Sequence, residues 1–328
     1  MTDRSLGRRA ATGLGLGVIL GARGAAAQGA PWPDRPVRLI AAGAAGSGID
    51  LIARLLAEGL SPRLGQPVVV DNRAAGGMAI AGEAHAAARP GEALLLAPSA
   101  IASTVPYTFD GRLPYDPEQD LVPLGVVASE FLCLAVTAGS PVHDMPALVG
   151  AARAAPGMLN WYSVPGFMEL AFRWFLHRHG MDMAYVAYRG SPQAVLDLVA
   201  GRIQVAILPL TPALAAIRQG TIRALAVTSQ HRSPSLPEVP TMAEAGAPGL
   251  AYDPFTALFG WRGMPEAARQ KVAAALADAL RDNDYAARLG QAGMVPQSGS
   301  AAALAEVIAK QRDQVQTAMR TIGARRAG

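Results

Sequence analysis

The residues best placed for chemistry lie in Gly43-Ala44-Ala45-Gly46-Ser47-Gly48, between a short apolar run and an amphipathic one. Side chains this small leave backbone N–H groups open. A helix starting there turns its positive end toward an anion. The chemistry that follows is a cradle for a carboxylate or phosphate. A tight strand-to-helix turn that needs glycine for its dihedrals is the other reading of the same residues. Asp50, just beyond, either accepts a hydrogen bond from a ligand or sits in the first turn of the helix, where an acid is favourable. With Asp71 ending the next apolar run, the loop also mimics a dinucleotide fingerprint. Its glycines, however, read G-x-x-G-x-G where G-x-G-x-x-G is required.

Other reactive constellations are missing from the sequence. There is no G-x-S-x-G elbow and no H-E-x-x-H. His85, His143, His177, His179 and His231 are scattered, and His177 and His179 point to different helix faces, which argues against a shared metal. Cys133 is the single cysteine, so neither a disulfide framework nor a cysteine zinc site is expected. Phe167, Phe172, Trp174 and Phe175 gather near one helix start, mostly as core, with one ring free to face a cleft.

The elements that must position these residues follow from periodicity. Strands are predicted at 37–42, 67–71 and 93–96. Helices fall at 49–60, where Ile49, Ile52, Ala53, Leu56 and Leu60 repeat with helical spacing, and from Gly76-Gly77 through His85. This β-α-β-α-β order implies parallel strands with right-handed crossovers. Strands at 131–137, 160–163, 185–188, 204–208 and 223–228 alternate with helices at 145–154, 169–179 and 192–200, a second α/β unit. The last third reads as two amphipathic helices, 265–281 and 301–321, with no strand cluster, packing back on the first unit. The expected fold is therefore α/β with two lobes, 28–130 plus 252–328 and 131–251, and a ligand cleft between them.

Composition bounds the rest. At 51% hydrophobic and 16% charged, the chain has apolar surface for real cores and is not disordered. Four arginines against one aspartate in residues 1–27 account for most of the formal net charge of +4. With no basic stripe and 5% aromatics, nucleic acid is not an expected partner. Arg8-Arg9, a weakly apolar stretch over 10–22 and Ala25-Ala26-Ala27 before Gln28 read as an export signal, residues 1–27, by the Tat or the Sec route. No later window has about 18 consecutive apolar residues, so a mature chain without a membrane span is expected outside the cytoplasm.

The stretch RALAVTSQHRSPSLPEVPTMAEAG, residues 223–246, closely resembles the signature of the solute receptors of tripartite tricarboxylate transporters, the Bug family. WPDRPVRLI, LAEGLSPRLGQPVVVDNRAAGG, LPYDPEQDLVPLGVVAS and YVAYRGSPQAVLDLVAGRIQVAI extend the resemblance over nearly all of 32–320. It implies a periplasmic binding protein fold whose lobes close on a small organic carboxylate, for delivery to inner-membrane transporter subunits. It further implies a monomer with no cofactor, no metal and no catalytic residues. The ligand loops depart from the family pattern. Its first loop reads Pro-aromatic-x-x-Gly-Gly-x-x-Asp; here the aromatic is lost while Gly46 and Asp50 remain. The second-lobe loop, Ser163 to Glu169, is shorter than the family's and puts an acid near its usual histidine. A later Asp-Asn is replaced by Pro209-Leu210.

The expected ligand-binding residues are Gly46, Ser47 and Asp50 from the first loop and Ser99 at the end of the third strand. Ser163, Gly166 and Glu169 come from the second lobe, with Tyr188, Arg189 and Ser191 at the next strand-to-helix turn, Arg189 as counter-charge. If Glu169 faces the cleft, the ligand should carry a donor or cation at that end. Otherwise it merely favours the helix start. The alternatives left open are an exported dinucleotide-binding oxidoreductase and a ligand-sensing receptor for a membrane signalling protein.

Overall fold

The computed structural model describes residues 32–74, 78–109, 111–188 and 190–322. The predicted export segment lies outside them. The run VRLIA forms strand β1 (Val37–Ala41), buried at four of five positions, because a strand covered on both faces must be apolar on both. After the glycine loop comes helix α1 (Gly48–Leu64), whose stripe of Ile49, Ile52, Ala53, Leu56 and Leu60 is buried. Ser47 caps its start, and Gly65, in the left-handed conformation, ends it. Strand β2 (Val68–Asn72), helix α2 (Ala79–Ala86) and strand β3 (Ala93–Pro98) complete a parallel β-α-β-α-β unit with β1 in the middle.

Two short helices, α3 (Ala100–Ser103) and α4 (Val105–Thr108), lead to β4 (Val122–Ser129). The chain then builds a second unit from β5 (Leu132–Thr137), α5 (Met145–Ala154), β6 (Asn160–Ser163), α6 (Phe167–Arg178) and β7 (Ala184–Tyr185). It continues with α7 (Ser191–Val199), β8 (Val205–Pro209), α8 (Leu210–Arg218) and β9 (Ile222–Val227). The return is made by β10 (Phe255–Gly260), α9 (Glu266–Leu280), α10 (Asn283–Gln291), β11 (Val295–Gly299) and α11 (Ala301–Ile322).

Two mixed sheets result, ordered β11-β4-β10-β3-β1-β2 and β7-β6-β8-β5-β9. Each has apolar clusters on both faces. In the first, Leu39, Leu94 and Leu96 pack under α1 and α9, while Ile40, Leu95 and Ala97 point the other way toward α2 and α11. α9 packs on α1 and β4, and α11 on β4 and α3 with a further contact to α6.

The last third thus contributes two strands that periodicity did not predict. β10 runs antiparallel between β3 and β4, and β11 pairs with β4 at the edge. The strand predicted over 185–188 pairs only at Ala184–Tyr185. The sheets are joined by two segments lying side by side. Glu130 donates its N–H to the Pro254 carbonyl at 3.0 Å. Thr228 and Tyr252 exchange bonds: the Tyr252 N–H reaches the Thr228 carbonyl and the Thr228 hydroxyl the Tyr252 carbonyl, each at 2.8 Å.

Candidate functional site

The glycine loop is wired largely to itself. Gly43 N–H reaches the Ala41 carbonyl (2.8 Å), Ser47 N–H the Ala44 carbonyl (3.1 Å), and Gly46 N–H the Asp50 carboxylate (2.8 Å). Gly46 has φ +78°, a conformation that favours glycine. Asp50 is 5% exposed, with Arg54 Nε 3.0 Å from one oxygen and 3.1 Å from the other. Burial alone would raise the Asp50 pKa. The bonds from Arg54, the Gly46 N–H and Asn72 outweigh it and hold the carboxyl below its usual range. Asp71, the acid of the dinucleotide-like pattern, is bound by Arg73 (2.9 Å) and Arg38 (2.8 Å). Arg73 above all, and Arg38 with it, keep its pKa low against burial.

A cleft of about 270 Å³ lies where α2, α3 and α4 of the first unit face the start of α6 in the second. One wall is Met78, Ala100, Thr104, Val105, Thr108 and Phe109; the other is Pro165, Gly166, Glu169 and Leu170. The walls nearly touch, since a Cβ on Gly166 would lie 3.4 Å from the Thr104 methyl. Thr104 is wholly buried, and its hydroxyl has no hydrogen-bond partner among the described residues. Helices α2 and α6 both begin at this cleft, and neither has a side chain capping its first turn. Beyond it the units meet again. The start of α1 faces the start of α8, also uncapped, with a Cβ on Gly48 falling 3.6 Å from the Thr211 hydroxyl. The uncapped starts of α2, α6 and α8 therefore converge on the space between the two sheets, beyond the carboxyl ends of β2, β6 and β8, where open α/β sheets take ligands.

The expected site residues divide into groups. Gly166 and Glu169 stand on the cleft wall. Ser99 and Ser163 lie buried behind it, next to Ala100 and two residues before Pro165; the Ser163 hydroxyl bonds the Val164 carbonyl at 3.1 Å. The Ser99 hydroxyl is close to the phenol of Tyr252, which burial pushes up to about 12. Gly46, Ser47 and Asp50 build the start of α1. Tyr188 donates to Asp197 at 2.7 Å and sits edge-on to Tyr162, whose hydroxyl is 3.5 Å from that of Ser191. Arg189 lies outside the described residues. Sequence reasoning missed Met78, Thr104, Thr108 and Phe109; the available signal was the pair of threonines one helical turn apart, just past the end of β3.

Among the described residues no cluster of histidine, cysteine or acidic side chains could hold a metal, and no helix is long and apolar enough to cross a membrane. Residues 52–324 match the family described as tripartite tricarboxylate transporter family receptor. Protein BugT of Bordetella pertussis is 34% identical over 253 residues, 76% of this chain and 78% of that protein. Among solved structures, R. palustris Rpa4515 with adipate has a TM-score of 0.81 at 29% identity, over 89% of this chain and 98% of the other. MatC (Rpa3494) from Rhodopseudomonas palustris with bound malate has a TM-score of 0.79 at 25% identity, over 88% and 99%.

Proposed function

The chain belongs to the tripartite tricarboxylate transporter receptor family, and from that premise we propose that it captures a small organic carboxylate between its lobes and presents it to inner-membrane transporter subunits. The observation that carries this reading is the cleft itself. It is a pocket between two α/β units at which uncapped helix starts leave N–H groups for an anion. The neighbours solved with adipate and with malate support the ligand class. The lobes in this reading are 28–130 with 252–328, and 131–251, which agrees with the membership of the two sheets. Ligand contact with both walls favours the closed arrangement, so binding is a population shift toward it.

The receptor works as an exported monomer without cofactor or catalysis, its signal peptide being residues 1–27. Gly166 and Glu169 contact the ligand, and Gly46, Ser47 and Asp50 shape the first-lobe loop. Ser99 and Ser163 support the walls from behind, Tyr188 and Ser191 stand at the next strand-to-helix connection of the second lobe, and Arg189 is the counter-charge of this reading. A dinucleotide enzyme fits less well, because the Asp71 carboxylate is already bound by two arginines. The test is a thermal-shift panel of organic acids, including adipate and malate, on the exported chain. A true ligand at about 100 times its Kd adds about 2.7 kcal/mol and raises Tm measurably. A panel in which no carboxylate moves Tm overturns the reading.

A further inference from the structure

We infer that Glu169 makes the cleft selective for a carboxylate whose far end carries a hydrogen-bond donor or a cation, an amide or an ammonium, over a dicarboxylate. The inference rests on the receptor reading above and specifies its substrate class. Glu169 is the charged residue among the described residues of the cleft wall; the others are aliphatic or aromatic, apart from Gly166 and two threonines. It occupies the first turn of α6, whose start carries no side-chain cap. There its carboxylate already supplies the negative charge that the helix end would otherwise draw from a ligand.

The two oxygens of that carboxylate are unequally engaged. Arg173 directs Nε (3.0 Å) and Nη2 (2.8 Å) to Oε1 alone. Oε2 has one long bond, from the Tyr185 hydroxyl at 3.4 Å. Oε2 thus keeps acceptor capacity for an N–H. Arg173 is itself set over the rings of Tyr185 (4.6 Å) and Trp161 (5.4 Å), and that stack positions the acid rather than cancelling its acceptor side. With its side chain 21% exposed, Glu169 is only partly screened by water, and a second ligand carboxylate beside it is repelled. The opposite wall differs. There the uncapped start of α2 and the unpartnered hydroxyl of Thr104 suit an anion. The largely apolar cleft therefore has two unlike sides, one suited to an anion in the first lobe and an acceptor in the second.

The test compares acids of one length that differ only at the far end: adipate, its monoamide, ε-aminocaproate and hexanoate, with the four- and five-carbon sets run in parallel. Binding is measured by calorimetry to the wild type and to Glu169→Gln, which keeps the side chain's shape. In the wild type the monoamide and the amino acid should bind about tenfold tighter than the diacid. Glu169→Gln should weaken the amino acid about tenfold and strengthen the diacid. Arg173→Met provides a second arm: it removes the partner of Oε1 and should widen the preference for the amino acid. If a diacid binds the wild type best and neither substitution changes the order, the inference is overturned while the receptor reading stands. If no carboxylate of any length binds the wild type, the receptor reading fails and the inference with it.

Discussion

Asp50 shows how one side chain can be conspicuous in the sequence and yet act at one remove from the ligand. Its position after a glycine loop left two readings open, ligand acceptor or first-turn acid. In the structure its carboxylate ties the Gly46 N–H and Arg54 to the start of α1, so it works as a brace for the loop. Removing it frees the Gly46 N–H and the largely exposed Arg54 guanidinium to water and leaves a gap where the buried carboxylate stood. Asp50→Ala should cost about 1–3 kcal/mol at neutral pH, measured by urea unfolding. The pH dependence has a definite sign. The folded-state pKa lies below the ordinary 3.8, so the contribution is present above that value and lost as pH falls through the lower folded pKa. The gap between wild type and variant should therefore narrow in acid; a gap that stays constant would mean the carboxylate's charge is irrelevant. Glu169 was equally visible in the sequence, as the departure from a familiar loop. Its ion pair with Arg173, one helical turn on, is a spacing a sequence can show; the hydrogen bond from Tyr185 and the placing of Arg173 over Trp161 are not, since they depend on how β6, β7 and α6 pack.

Among the elements, legibility followed locality. The parallel β1-α1-β2-α2-β3 unit was readable because each strand holds a short apolar run and α1 carries a stripe of helical spacing, with glycines marking where the helices open. β10 was not, although all six of its residues are buried. It is an antiparallel strand inserted between β3 and β4 from far along the chain, and only the assembled sheet shows that this run pairs. β11 contains a proline and two exposed residues, as an edge strand can. α2 reaches the site through Met78, at its start, which is part of the cleft wall. The helix is seated by His85, whose Nε2 lies 3.0 Å from the Gly260 carbonyl, and by Gly82 against the ring of Tyr115. A Cβ at Gly82 would come within 2.4 Å of that ring, and the Tyr115 hydroxyl is fixed to the Ile101 carbonyl at 2.6 Å. In an open helix Gly→Ala stabilises by up to about 1 kcal/mol. Here the ring cannot withdraw without losing its bond. Gly82→Ala should therefore destabilise by about 1–3 kcal/mol and weaken ligand binding in step. A rise in Tm would show that the α2 seat yields easily.

At the scale of the whole molecule, the proposed function has the two lobes part to admit a ligand and close to hold it. The paired crossing segments at Glu130–Pro254 and Thr228–Tyr252 are the natural pivot, being the places where the chain passes from one sheet to the other. Burial raises the pKa of Glu130, and the Thr256 hydroxyl bonded to it opposes that rise. Away from this pivot the lobes touch where the start of α1 meets the start of α8. A Cβ at Gly48 would stand 3.9 Å from the Cβ of Thr211, inside the range that a disulfide spans. Gly48 is not at positive φ, so a side chain there brings no left-handed strain. The native Cys133 is buried in the core of the second unit and offers no competing partner. The double substitution Gly48→Cys with Thr211→Cys should therefore form a cross-link on mild oxidation, seen as a mobility shift on a non-reducing gel. If opening about the crossing segments is the route into the cleft, the oxidised protein should release a bound carboxylate at least about tenfold more slowly than the reduced one, with reductant restoring the rate. Equal release rates in a fully cross-linked sample would mean that the ligand reaches its site without the lobes parting at α1 and α8.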